Sequence, residues 1–256
     1  MLLAIDLFCG LGGWTDGLLA ERFDVIGFDI EQHVYGDHRY PAQLVLQDVT
    51  TLHGSQFRNA ALIVASPPCQ GYSYRAMPWK RAKALPPPDN TLFETCFRIQ
   101  REACEAAGRH IPLIVENVRG AQKWVGRARW NYGSFYLWGD VPALMPVTFG
   151  RVVMKAGIAH RSNGATNFHG HKHDGSGWRE NGCLVSSNRM VQDGLKCGGD
   201  WFGPGVKSEM RKHSSKSAAR KFASAMIAKI PLPLSRHIGA TFARAAIAHV
   251  QHARAA

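Results

Sequence analysis

No apolar run in the 256 residues approaches the ~18 to 20 needed to cross a bilayer, so a membrane-spanning helix is not expected. The amino terminus, Met-Leu-Leu-Ala-Ile-Asp, has no basic region and no cleavage-site pattern, which argues against a secretory signal. None of the six cysteines (Cys9, Cys69, Cys96, Cys104, Cys183, Cys197) forms a C-x-x-C pair, and a disulfide framework is not expected. A reducing cytoplasm is the expected location. Acidic residues are scarce, with 19 Asp and Glu against 31 Lys and Arg and a formal charge of +12. That excess favours a polyanionic partner, because neutralising phosphates releases condensed counterions. A generally basic soluble surface would carry the same charge. Internal repeats are also lacking.

What is present is a chain with a 45% hydrophobic fraction, ordinary for a domain with a real core. Short apolar runs at 2–7, 24–28, 44–46, 61–65 and 112–115 read as buried strands. Residues 91–107 place Leu92, Cys96, Ile99, Ala103 and Ala107 at helical spacing, with Thr91 and Glu94 as an expected capping box. Alternation of this kind predicts an α/β fold, a Rossmann-like and mostly parallel sheet with helices on both faces. Residues 152–215 differ, being rich in Gly, Asn, Ser, His, Lys and Arg, and read as a small irregular second domain. Helical patterning returns at Ala219, Phe222 and Met226, breaks at Ile230-Pro-Leu-Pro, and resumes at Ile238, Phe242 and Ala245. This last segment is expected to pack back on the first domain.

Ligands of open α/β sheets gather at the carboxyl ends of the strands. There the chain carries Asp6-Leu-Phe-Cys-Gly-Leu-Gly-Gly, then Asp29, Asp48, Ser66-Pro-Pro-Cys-Gln-Gly and Glu116-Asn-Val. Gly10, Gly12 and Gly13 allow a sharp turn and close ligand approach, and a helix from about Trp14 would aim its amino terminus there. Asp29 suits ribose hydroxyls and Asp48 an adenine amine, although either could be an ordinary strand-end cap. The missing third glycine of a phosphate loop argues against a dinucleotide, leaving a smaller nucleoside-containing cofactor. Cys69 follows two prolines at a strand end, beside an expected helix dipole, while Cys96, Cys104 and Cys9 read as buried space-fillers. With Glu116 on the neighbouring strand end, a nucleophile and an acid would meet, which suits addition to an electron-poor ring.

Asp6-Leu-Phe-x-Gly-x-Gly-Gly, Pro68-Cys69-Gln70 and Glu116-Asn117-Val118, in this order, resemble the motifs of cytosine-5 DNA methyltransferases. The resemblance covers about residues 1–150 and, more loosely, the C-terminal helices. The compact length leans toward the phage- or prophage-borne members. It implies a catalytic domain of residues 1–151 and 216–256, with 152–215 as target-recognition region. It implies S-adenosylmethionine as cofactor and double-stranded DNA as partner, with no membrane and no obligate protein partner. Cys69 would add to carbon 6 of a flipped-out cytosine and Glu116 would protonate its ring nitrogen 3. Asp6, Phe8, Gly10, Gly12, Gly13, Asp29, Ile30, Asp48, Val49 and Pro68 would form the cofactor side of the site, Phe8 at the adenine and Pro68 also at the cytosine amine. Residues 70–89 would close on DNA, with Arg75, Lys80, Arg81 and Lys83 on phosphates.

Two family features are missing. No Gln-x-Arg-x-Arg motif stands in place, and Arg127 and Arg129 of Gly-Arg-Ala-Arg-Trp are the candidate catalytic substitutes, or else surface charges. The late Gly-Asn motif is replaced by Ala228-Lys-Ile-Pro-Leu-Pro. No metal is expected, because His169, His171 and His173, with His160, Cys183 and Cys197, match no zinc spacing. An RNA cytosine methyltransferase, a catalytically idle DNA-binding homologue and an enzyme acting on free nucleotides are the alternatives.

Overall fold

The computed structural model describes residues 2–73, 84, 86–146 and 217–255. The second region at 152–215, its histidines and the basic residues Arg75, Lys80, Arg81 and Lys83 lie outside the described residues. The chain divides into two compact units, Met1–Pro146 with Lys229–Ala256, and Val147–Ala228. The described part of the second unit holds one helix, Ala218–Ala228, which we number α4.

In the first unit, β1 (Leu2–Leu7), β2 (Phe23–Asp29), β3 (Gln43–Leu46), β4 (Leu62–Ala65) and β5 (Leu113–Asn117) run parallel. β6 (Trp130–Tyr132) and β7 (Phe135–Gly139) form an antiparallel hairpin, and β7 also pairs antiparallel with β5. The order in the seven-stranded sheet is β3-β2-β1-β4-β5-β7-β6. This is the Rossmann-like, mostly parallel sheet that the sequence pattern predicts. Its strand order reverses between β1 and β4, and ligands of such sheets bind at that reversal.

Each face of the sheet follows from the period of two in its strands. Ile5, Ile63 and Leu113 pair across the sheet, as do Leu7, Ala65 and Val115, and all six enter one core. That face is covered by α2 (Thr91–Ala107) through Phe93, Cys96, Ile99 and Ala103. Ala4, Leu62, Val64 and Ile114 point the other way, onto α1 (Gly13–Ala20) and α5 (Leu232–Ala255). Trp14 and Leu18 of α1 meet Leu234 and Ile238 of α5, with Ile230 just before it, in this second core. Lys229–Asp16 at 2.7 Å and Arg236–Glu21 at 3.0 Å reinforce the same contact. Among the described residues no helix is long and apolar enough to cross a membrane.

The expected capping box on α2 is absent. Asp89 Oδ1 takes both the Thr91 N–H (2.8 Å) and the Thr91 hydroxyl (2.6 Å), so the helix is capped from outside. Those two hydrogen bonds hold the Asp89 carboxyl below the usual range. A carboxylate upstream wins because it takes two donors at once, whereas Thr91 is already inside the helix.

Candidate active site

The loop leaving β1 is built by backbone geometry. Phe8 has φ 56 and Gly10 φ 50, both left-handed, which costs a residue with a side chain roughly 1–2 kcal/mol. Asp29 at the end of β2 accepts the Gly10 N–H through Oδ2 at 2.9 Å and the Glu31 N–H through Oδ1 at 3.4 Å. It therefore ties the first loop to the second strand end. Around Gly10 there is open space, since an added Cβ would meet nothing within 4 Å. At Gly13 an added Cβ would run into the backbone of Ile230. The loop thus has a free outer half and an inner half closed against the entry to α5.

Beneath the loop lies a buried polar chain. Tyr40 O–H donates to Thr15 Oγ1 (2.7 Å), and the Thr15 hydroxyl donates to Asp6 Oδ2 (2.6 Å). Asp6 is 1% exposed and its Oδ1 is buried without a hydrogen-bond partner. Burial, with a smaller push from the Asp29 charge, holds the Asp6 carboxyl well above the usual range despite Thr15. Burial, aided by the same two carboxylates, also pushes the Cys9 thiol up, so Cys9 stays an uncharged filler. Neither Thr15 nor Tyr40 stood out in the sequence, because their roles depend on partners 9 to 25 residues away.

At the next strand ends, Ile30 is 74% exposed and Val49 is buried. Asp48 caps a short turn, Val49–Thr51, taking the Thr50 N–H and hydroxyl on Oδ1, each at 2.8 Å. The same bonds lower its carboxyl. The strand-end cap that the sequence allows for Asp48 is therefore formed, through Oδ1.

The loop after β4 is pinned on two sides. Trp14 Nε1 donates to Ser66 Oγ at 3.0 Å from α1, and Asn117 Nδ2 donates to the Pro67 carbonyl at 3.0 Å from β5. Asn117 is fully buried and Glu116 is 3% exposed. The structure thus brings the segment carrying Pro68 and Cys69 against the end of the strand carrying Glu116. Cys69 is half-buried while Cys96 is sealed in the core, where burial pushes its thiol up. The Cys69 carbonyl receives the Tyr72 N–H (3.0 Å) and the Ser73 hydroxyl (2.8 Å), which fixes the backbone beyond it. Among the described residues no helix begins beside Cys69 to supply the dipole that the sequence allows. The three-residue turn that follows, Gln70–Tyr72, is too short to sum backbone dipoles. Arg127 and Arg129 are both exposed, in the segment leading into β6. Among the described residues no group of His, Cys, Asp and Glu could hold a metal.

Residues 2–125 match the family model of the C-5 cytosine-specific DNA methylases. Over this stretch the chain is similar to the C-5 cytosine-specific DNA methylases. The matched stretch contains the β1 loop, Cys69 and Glu116; Arg127 and Arg129 fall just beyond it. Among solved structures, a prophage-encoded DNA modification methyltransferase of E. coli is similar at 28% identity, over 49% of this chain and 34% of that one, with a TM-score of 0.34. The Entamoeba histolytica methyltransferase EhMeth shares 18% identity over 48% of this chain and 40% of its own, with a TM-score of 0.35. S. pombe Dnmt2 methyltransferase shares 12%, over 93% and 97% of the two chains, with a TM-score of 0.44. The chain therefore spans well under half the length of the first two. A comparison with curated proteins gives no match.

Proposed function

We propose that the chain is a DNA (cytosine-5)-methyltransferase whose Cys69 bonds transiently to carbon 6 of a cytosine turned out of duplex DNA. The observation that carries this reading is the Asn117–Pro67 hydrogen bond of 3.0 Å, which joins the cysteine loop to the strand of Glu116. Cys69 is half-buried and Glu116 is buried at the end of the adjoining strand. Nucleophilic addition with proton delivery needs both groups.

The β1 rim fits a sulfonium nucleoside. Gly10 offers an open cradle, Asp29 a carboxylate at the end of β2, and Ile30 an exposed apolar side chain beside it. Phe8, Gly10, Asp29, Ile30 and Asp48 would meet the cofactor, with Pro68 facing it across the rim. Asp6, Gly12, Gly13 and Val49 would shape the backbone from behind, given their burial. S-adenosylmethionine, when bound, supplies the methyl group that carbon 5 of the base accepts.

The protein's own share of the chemistry is addition, proton handling and release. Cys69, as thiolate, forms the bond to carbon 6 while Glu116 hands a proton to ring nitrogen 3, which places the electron pair at carbon 5. After solvent water takes the carbon 5 proton, the 5,6 double bond re-forms, Cys69 leaves with its electron pair and Glu116 recovers its proton from ring nitrogen 3. The base must leave the stack for this, because a paired cytosine cannot present carbon 6 to a side chain.

Duplex DNA carrying 5-fluorocytosine blocks the proton loss and should leave a denaturation-resistant complex with the wild-type chain and cofactor. Cys69→Ser should form none, and Glu116→Gln should slow adduct formation by ~10²- to 10⁴-fold. RNA run in parallel separates the substrate classes. Methylation by Cys69→Ser at the wild-type rate would end the proposal.

A further inference from the structure

From Asn117 to Gly139 the chain holds four cations, Arg119, Lys123, Arg127 and Arg129, and no carboxylate. All four side chains are exposed. Among the described residues none of them meets an acid, whereas Arg98, Lys229 and Arg236 are each paired with one. Lys123 instead rests over the Trp124 ring at 4.3 Å, which holds its ammonium at the surface. The segment passes from the carboxyl end of β5, through the short helix Gln122–Val125, to the edge strand β6, where Trp130 is 39% exposed.

Sheet register places the β6 end of this segment relative to Glu116. Glu116 pairs with Leu137, and Leu137 with Trp130, in one row across three strands. Two strand spacings of ~4.8 Å put the start of β6 on the order of 10 Å from Glu116. The major groove of a duplex is itself about 12 Å wide, so a duplex presenting a base to Glu116 would bring its flanking phosphates over these residues.

We infer that Arg119, Lys123, Arg127 and Arg129, on the segment from the end of β5 to the start of β6, track phosphates and seat the nucleic-acid backbone beside the site. The strip rests on the functional reading above for its partner, but not on the covalent chemistry. It gives Arg127 and Arg129 work that their exposure suits, on backbone phosphates. Contacts to phosphate fix register and orientation and carry no base sequence.

The test compares two pairs of substitutions that each remove two positive charges. Lys123→Gln with Arg127→Gln lies in the strip; Arg58→Gln with Arg101→Gln removes exposed charges elsewhere. Affinity for duplex DNA is measured by fluorescence anisotropy across salt concentrations. Each phosphate that the protein no longer neutralises should flatten the slope of log affinity against log salt by about 0.9, so the strip pair should flatten it by up to ~1.8. The control pair should leave the slope unchanged. Arg119→Gln with Arg129→Gln supplies a second strip pair should the first lose its thermal melt. Equal changes in strip and control pairs, or none in either strip pair, would overturn the inference. The 5-fluorocytosine adduct of the wild-type chain is scored separately. An adduct with unmoved slopes sinks only the strip, and moved slopes without an adduct sink only the catalytic reading.

Discussion

Gly10 and Gly13 lie three residues apart in one loop, yet a methyl group added to each would meet opposite surroundings. At Gly10 it would stand in open space; at Gly13 it would strike the Ile230 backbone. The same residue type serves two ends. The outer glycine leaves space open beside the loop, and the inner one lets α1 close on the segment entering α5. A glycine-rich motif is therefore not a uniform ligand cradle. Its inner part belongs to the core that holds the rim in place.

The sharpest way to break this comparison is Gly13→Ala. Backbone cannot step aside as a flexible side chain would, so α1 and α5 must separate and disturb Trp14, Leu18, Leu234 and Ile238. Overpacking of this kind costs about 1–3 kcal/mol, and here it falls on a contact joining segments more than 200 residues apart in sequence. Urea denaturation should show a clear loss of stability. An unchanged midpoint would mean that the inner half is not packed as described.

The five parallel strands and α2 were legible in the sequence because local pattern decides them. The runs at 2–7 and 91–107 became β1 and α2 with the same ends, since apolar period and flanking polar residues agree there. Elsewhere boundaries moved by a residue or two, as with β2 and β5. The β6–β7 hairpin was not read as strands. Its signal was present in Tyr132-Gly133-Ser134-Phe135, where Gly133 takes φ 58 in a two-residue turn between apolar residues. The residue types at the strand ends were legible, but what ties those ends together was not. Asn117 reaching Pro67, Trp14 reaching Ser66 and Tyr40 reaching Thr15 are side-chain bonds across 25 to 52 residues, and no periodicity announces them.

The packed half of the loop also makes a pH prediction. Because burial holds the folded Asp6 carboxyl above its unfolded value, folding favours the protonated form. Below the ordinary carboxylate range both states are protonated and this group adds no pH dependence. As pH rises the unfolded chain ionises first, so stability falls until folded Asp6 ionises in turn. Asp6→Asn cannot ionise and still offers Thr15 an acceptor. Its melting temperature should match the wild type in acid and exceed it progressively above that range. Parallel pH profiles for the two proteins would show that Asp6 is not held neutral by the fold.

The smallest effect, and the one that most sharpens the contrast, is expected at Gly10→Ala. There is room for the methyl group, so nothing in the core is displaced. The cost is the left-handed φ of 50, which a side chain occupies at roughly 1–2 kcal/mol, less than the clash at Gly13 imposes on two helices. The substitution should therefore leave a folded chain with a modestly lower denaturation midpoint. Its larger mark should fall on ligand binding, because the added carbon stands where the cofactor would pass closest to backbone. Calorimetry with S-adenosylmethionine should show affinity weakened roughly tenfold, equivalent to about 1.4 kcal/mol. Asp29 would still hold the Gly10 N–H, so the loop itself would remain tied to β2. Full cofactor affinity in Gly10→Ala would place the ligand elsewhere on the rim and leave the open half of the loop without the role assigned to it.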